Sequence, residues 1–196
     1  MRPTDELLSL PNVSWAAEAL ELVFAVEGHA VANHSVRSWA FARILAEHES
    51  MAHEVDDALL FAATVLHDIG LRHDARAPVR FEVDGADYAA EFLTARQLAA
   101  GDVDRVWEAI ALHSSHGLAE RRGLLTYLTY RGVFIDAGRD RDAVAEGLRK
   151  EVLNAYPKPT QGPYLAEAII EHAQRSPAAA PPGSLGAYLL LQHQHG

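Results

Sequence analysis

The sequence predicts an all-α domain, and three observations carry that expectation. Apolar residues recur at helical spacing along nearly the whole chain. Capping residues and glycines fall where those periodic runs begin and end. Two runs are rich in strand-forming residues, but no partner strand is evident to make a sheet of them. At 196 residues the chain is long enough to bury a proper core in one domain.

The elements follow in order. In "SWAAEALELVFAVEG", Leu20, Val23, Phe24 and Glu27 have helical spacing, with Ser14 as the expected cap and Gly28 as the stop. "NHSVRSWAFARILAEHE" repeats apolar residues at Val36, Ala40, Phe41, Ile44 and Leu45, and Asn33 would cap it. "EVDDALLFAATVLHDIG" has a wide apolar face and Asp56 as its cap. A loop, "LRHDARAPVRFEV", leads to "GADYAAEFLTARQLA", which Asp84 would cap. Gly101-Asp102 breaks the chain before the amphipathic "DVDRVWEAIALHSSHG". "RRGLLTYLTYRGVFIDAG" suits a strand or a buried helix, and the lack of a partner strand favours helix. "RDAVAEGLRKEVLNAY" and "YLAEAIIEHAQR" are helical on either side of "PKPTQGP". "SPAAAPPGSLG" reads as a flexible linker, and "AYLLLQHQHG" as a tail that docks or frays. The expectation is a bundle of seven or eight helices, with one domain over residues 1–175 and a linker and tail over 176–196.

Composition narrows the function. Hydrophobic residues make up 49% and charged residues 22%, ordinary for a globular chain. No apolar run is long enough to span a membrane. The N-terminus has no apolar region of the secretory kind, and cysteine is absent, so the expected compartment is the cytoplasm. The net charge of −10, without a basic patch, argues against nucleic acid as a partner. A small-molecule substrate is the expected partner, with homodimerisation a habit of helical bundles. Without cysteine, a transition-metal site must use imidazole and carboxylate, and eleven histidines are present.

Several polar residues stand where apolar ones are expected. His34 opens the second helix, and His67-Asp68 close the third. His113 and His116 lie three apart on the fifth, and Asp136 follows "GVFI". Singly, each is most simply structural: a hydrogen-bonded core histidine or a capping aspartate. Together, His34, His67, Asp68 and Asp136 come from three segments and can surround one cation. Adjacent residues on a helix point about 100° apart, so His67 and Asp68 can share an ion only where the helix ends or distorts. Gly70 fits such an end.

The order His34, then His67-Asp68, then Asp136 resembles the HD-domain superfamily pattern. "NHSVRSWAFA", "VLHDIGL", "RFEVDGADYAAEFL", "AIALHSSHG", "YLTYRGVFIDAG" and "NAYPK" together resemble the branch that includes cyanamide hydratase, over residues 30–157. The resemblance implies one divalent metal held by those four residues: zinc first, with iron, manganese or nickel also suited. It places His113 and His116 in the segment facing the metal, as catalytic candidates beside Asp68. Arg37, one turn after His34, and Glu82 are candidates for substrate binding, though Arg37 could equally lie on the surface and Glu82 be solvated. Asp84 is a weaker pocket candidate, better read as a cap. The other histidines, His29, His48, His53, His73, His172, His193 and His195, lack partners by spacing and are expected on the surface.

The chemistry this implies is hydration or hydrolysis of a small nitrile-like or amide-like molecule by metal-activated water, with a histidine moving the proton. A phosphohydrolase is the alternative, and would need Arg37, Arg72, Arg76 or Arg80 to hold phosphate. A di-iron oxygenase would need extra His or Asp ligands bridging two metals, and His113 with His116 could supply part of that set. A non-enzymatic sensor would tolerate a degenerate site, but here all four ligand positions are intact.

Overall fold

The computed structural model describes residues 7–75, 79–160 and 162–195. Among these the chain is helical and forms no strand. The helices are α1 (Ala16–Val26), α2 (His29–His48), α3 (Asp57–Val65), α4 (Phe81–Ala95), α5 (Ala100–Leu112), α6 (Leu124–Asp136), α7 (Glu146–Ala155), α8 (Tyr164–Ala173) and α9 (Leu185–His195). That is more than the seven or eight expected, because the segment read as a linker and tail folds too. None of the described helices is long and apolar enough to cross a membrane.

The centre of the bundle is the α2–α6 pair, with α3 packed against both, α5 behind them and α1 on α3. Trp39 and Phe61 meet edge to face there at 5.0 Å, a geometry worth about 0.5–1.5 kcal/mol beyond the area it buries. Helices α2 and α6 approach closely at Gly132, where a Cβ would lie 2.3 Å from the Ser38 carbonyl oxygen. His34 lies one turn before Ser38 and Asp136 one turn after Gly132. The crossing therefore sets those two side chains opposite each other, and they bond.

The capping residues divide. Asp56 caps α3 as expected, accepting from the Ala58 and Leu59 amides. Asn33 does not cap α2, which begins a turn earlier at His29. Gly28, at φ 75°, both ends α1 and opens α2, and this left-handed conformation suits glycine. Trp15, not Ser14, precedes α1. Asp84 lies inside α4, which starts at Phe81, and its carboxylate pairs with Arg72 instead of capping. The ambiguous "LLTYLTYRGVFID" is helix throughout.

The expected flexible linker is a folded turn. Ala179 and Ser184 are buried, and Ser184 Oγ accepts from the Ala187 amide at the start of α9. Leu185 and Leu189 then pack with Ile169 of α8 on a small apolar cluster containing Val31, Leu71 and Phe81.

Candidate metal centre

Helix α3 stops at Val65, and Leu66 caps it. His67 and Asp68 occupy the break before a single 3₁₀ turn, Ile69–Leu71. The break lets two neighbouring residues aim at one point, as the sequence requires of them. It is held in place by close backbone packing. A Cβ at Gly70 would lie 2.0 Å from the Phe81 carbonyl oxygen, and one at Gly85 would lie 3.2 Å from that of His67. Gly70 thus serves close approach between this turn and α4. Arg72 fastens the same junction, donating to the Ile69 carbonyl at 3.2 Å and to Asp84 at 2.6 Å, with its guanidinium over Tyr88.

His34, His67 and Asp68 are buried, and one ligand atom of each lies within 4.8 Å of the others. His67 Nε2 approaches Asp68 Oδ2 at 3.2 Å, and His34 Nε2 approaches it at 3.7 Å. His34 Nε2, His67 Nε2 and Asp68 Oδ2 are all buried without a hydrogen-bond partner. Buried polar atoms normally find one, so three convergent exceptions call for a cation.

The other side of each ring explains the convergence. His34 donates from Nδ1 to Asp136 Oδ2 at 2.6 Å, and His67 donates from Nδ1 to the Thr64 carbonyl at 2.7 Å. His113, at the C-terminal cap of α5, donates from Nδ1 to the Ile110 carbonyl at 2.7 Å. Carbonyls and carboxylates only accept. Each Nδ1 therefore carries the proton, leaving an Nε2 lone pair toward the site, the ligand form of imidazole.

Electrostatics reinforce the arrangement. Burial pushes the Asp68 carboxyl up, but His67, His34 and His113 together outweigh it and hold it well below the usual carboxylate range. Burial pushes His67 down, but Asp68, the Thr64 carbonyl and Asp136 together outweigh that and raise it. A proton and a metal ion thus compete for His67 Nε2. Burial and the neighbouring His67 lower His113 to about 4. Its Nε2 lies 3.7 Å from Asp68 Oδ1.

The sequence places Asp136 as a fourth ligand; the structure places it behind His34. Both its oxygens are engaged: Oδ1 accepts from Arg37 Nε at 2.7 Å, and Oδ2 accepts from His34 Nδ1 and from Arg37 Nη2 at 2.9 Å. Lys158 reaches Oδ1 at 3.3 Å and also bonds the Asp136 carbonyl. Asp136 therefore fixes the tautomer of His34.

Arg37 is corrected as well. It is not on the surface but fully buried. Besides its bonds to Asp136, it donates to the Tyr156 and Pro157 carbonyls and to the Tyr164 hydroxyl. A guanidinium has five N–H donors, and all are engaged within the protein.

Glu82 is buried instead of solvated, accepting from Ser114 Oγ at 2.5 Å and from Arg80 Nη2 at 2.9 Å. Burial raises its pKa, but Arg80, His113 and Ser114 together outweigh that and lower it. His116 does not share a helical face with His113, because α5 ends at Leu112. It is 71% exposed, hydrogen-bonded to the Tyr130 hydroxyl and paired with Glu120. His172, expected on the surface, is buried and donates from Nε2 to the Val79 carbonyl. His29, His48, His53, His73, His193 and His195 are exposed, as expected. Arg76 lies outside the described residues.

Sequence reasoning missed Glu27, Ser114, Lys158 and Tyr164. Lys158 had a signal, since it stands in the quoted "NAYPK". Glu27 had none. It is buried at the end of α1, with Ser35 Oγ 3.4 Å from Oε2 and no partner for Oε1. Burial, and then the Asp68 charge, raise its carboxyl well above the ordinary value.

The family model of the HD domain matches residues 31–173, which contain the whole cluster. The chain belongs to the HD-domain family. Its members are metal-dependent hydrolases, and the His34, His67 and Asp68 set of this HD domain can hold a divalent ion. No curated protein matches the chain.

Proposed function

We propose that this HD domain is a metal-dependent hydratase or hydrolase of a small, uncharged nitrile-like or amide-like molecule, as in the cyanamide hydratase-like branch. The observation that carries the proposal is the full engagement of Arg37. Arg72 is paired with Asp84, and Arg80 with Glu82. A phosphate group needs cationic donors besides the metal. Of the four arginines that could have held one, the three described already face carboxylates. Asp68, Asp136, Glu82 and Glu27 are all buried around the cluster, a setting that favours a neutral substrate.

Zinc is the proposed ion, on the strength of the imidazole and carboxylate donors. A bound divalent ion supplies Lewis acidity and brings the pKa of water toward neutrality. His34 and His67 offer Nε2, and Asp68 offers an ionised oxygen. The exposure of His116 leaves His113 as the one remaining candidate of the pair for a second ion, which supports a single-metal site over a di-iron one. His113 is neutral near pH 7 and takes a proton from the attacking water through Nε2. The new carbon–oxygen bond forms as a carbon–nitrogen π bond of the nitrile breaks. His113 returns the proton to the substrate nitrogen, so that addition of one water to cyanamide gives a urea-type product. Glu82 steadies the charged form of His113 through space.

The test loads metal-free protein with zinc, manganese, iron or nickel separately. Each form is assayed on cyanamide, small nitriles and amides, and on nucleoside monophosphates. Turnover of a nitrile or amide is expected. Phosphate release without turnover of any neutral substrate would overturn the reading in favour of a phosphohydrolase.

A further inference from the structure

We propose that the outer face of α9, with the turn before it, is a twofold interface between two copies of this chain. Leu185 and Leu189 face inward and pack on the α8 cluster. Tyr188 and Leu191, three apart and so on one side of the helix, are 58% and 56% exposed, the most exposed large hydrophobic side chains among the described residues. Both also line an apolar groove of about 600 Å³, together with Ala180, Pro182, Gly183, Ala187 and Leu190.

The occupant follows from charge and shape. From Ser176 to Gly196 there is no Asp, Glu, Lys or Arg, although 22% of the chain is charged and its net charge is −10. Two such copies repel across most approaches, and this face is one on which they can meet without juxtaposing like charges. A charged peptide would find no counter-charge there. A twofold contact requires one patch to be complementary to itself. A ridge that itself borders a groove meets that requirement, the Tyr188 and Leu191 side chains of each copy seating in the groove of the other. An 11-residue helix is about 16 Å long. Such a face falls short of the roughly 800 Å² per partner of a standard interface, so the dimer should be weak and depend on concentration.

Sedimentation equilibrium on the full chain tests this between about 5 and 500 µM, a range that brackets weak dimers. The wild type is expected to shift from monomer toward dimer. Leu191→Glu and, separately, Tyr188→Asp are expected to remain monomeric with unchanged helical circular dichroism. Leu118→Glu, at another exposed apolar side chain, should dimerise like the wild type. A wild type that stays monomeric, a dimer that survives both α9 substitutions, or association that grows past two copies would each overturn the proposal.

Discussion

Two regions of the molecule bury histidine, and they differ in which ring nitrogens are bare and what those nitrogens face. Between α2, the α3 break and α6, His34 and His67 anchor Nδ1 and leave Nε2 unpartnered, converging on the unpartnered Asp68 Oδ2. On α8, His172 is just as buried, but it anchors Nε2 on the Val79 carbonyl and leaves a solitary Nδ1 bare. It lies edge-on to Phe81 at 6.2 Å. Burial is common to both regions. Convergence of bare lone pairs with a carboxylate belongs only to the first, and it distinguishes a ligand from a packed side chain.

The sharpest way to break this contrast is to remove a ligand from one region and the histidine from the other. Asp68→Ala or His67→Ala should lower metal affinity by at least about a hundredfold, more than loss of a supporting residue usually does. His172→Ala should leave metal content at the wild-type level and cost about 1–3 kcal/mol of stability through the unpaired carbonyl and the lost packing. Elemental mass spectrometry beside thermal denaturation reads both. Equal metal loss in the two regions would erase the distinction.

His113→Ala is expected next in size. It should retain the metal and lower kcat about 10²–10⁴-fold on whichever substrate is turned over, the usual contribution of a positioned acid–base group. An unchanged kcat would make His113 a core residue. Asp136→Asn should weaken metal binding about 10–100-fold by disturbing the His34 tautomer. Metal titration followed by competition with a chelator would show this, and unchanged affinity would refute the role given to Asp136.

The smallest effect concerns Glu27. Its folded pKa is raised by burial and by Asp68, so the native state holds this proton more tightly than the unfolded chain. Stability then declines as pH rises from the unfolded value, near 4.5, toward the folded one, and levels off above it. Glu27→Gln cannot ionise, so it should match the wild type near pH 4.5 and melt a few degrees higher near pH 7. A Tm difference that does not grow across that interval would show Glu27 to be solvated or paired.

Much of this was legible in the sequence, for local reasons. Periodicity and the Asp56 cap are properties of a few neighbouring residues, as is the need of His67-Asp68 for a broken helix. Arg37 was visible one turn from His34, but its role was not, because its partners Asp136, Tyr156 and Tyr164 lie about a hundred or more residues away. Asp136 was found, but its pairing with His34 and Arg37 was not, because chain order cannot say which side of a histidine a carboxylate faces. His172 was assigned to the surface because spacing shows only neighbours on its own helix, whereas Val79 and Phe81 bury it from outside. The uncharged linker read as flexible and the tail as docking or fraying, because composition does not show the apolar seat that the rest of the fold creates for Leu185 and Leu189.

Gly70, Gly85 and Gly132 surround the centre at points where a methyl group would press against backbone. None of these contacts is with a flexible side chain that could swing aside. Descent with modification is therefore confined at this site. The frame that aims His34, His67 and Asp68 cannot drift by small steps, while less buried positions such as Arg80 and Ser114 at its margin can. A lineage that acquires a new substrate on this scaffold should show its substitutions along that margin, with the three glycines unchanged.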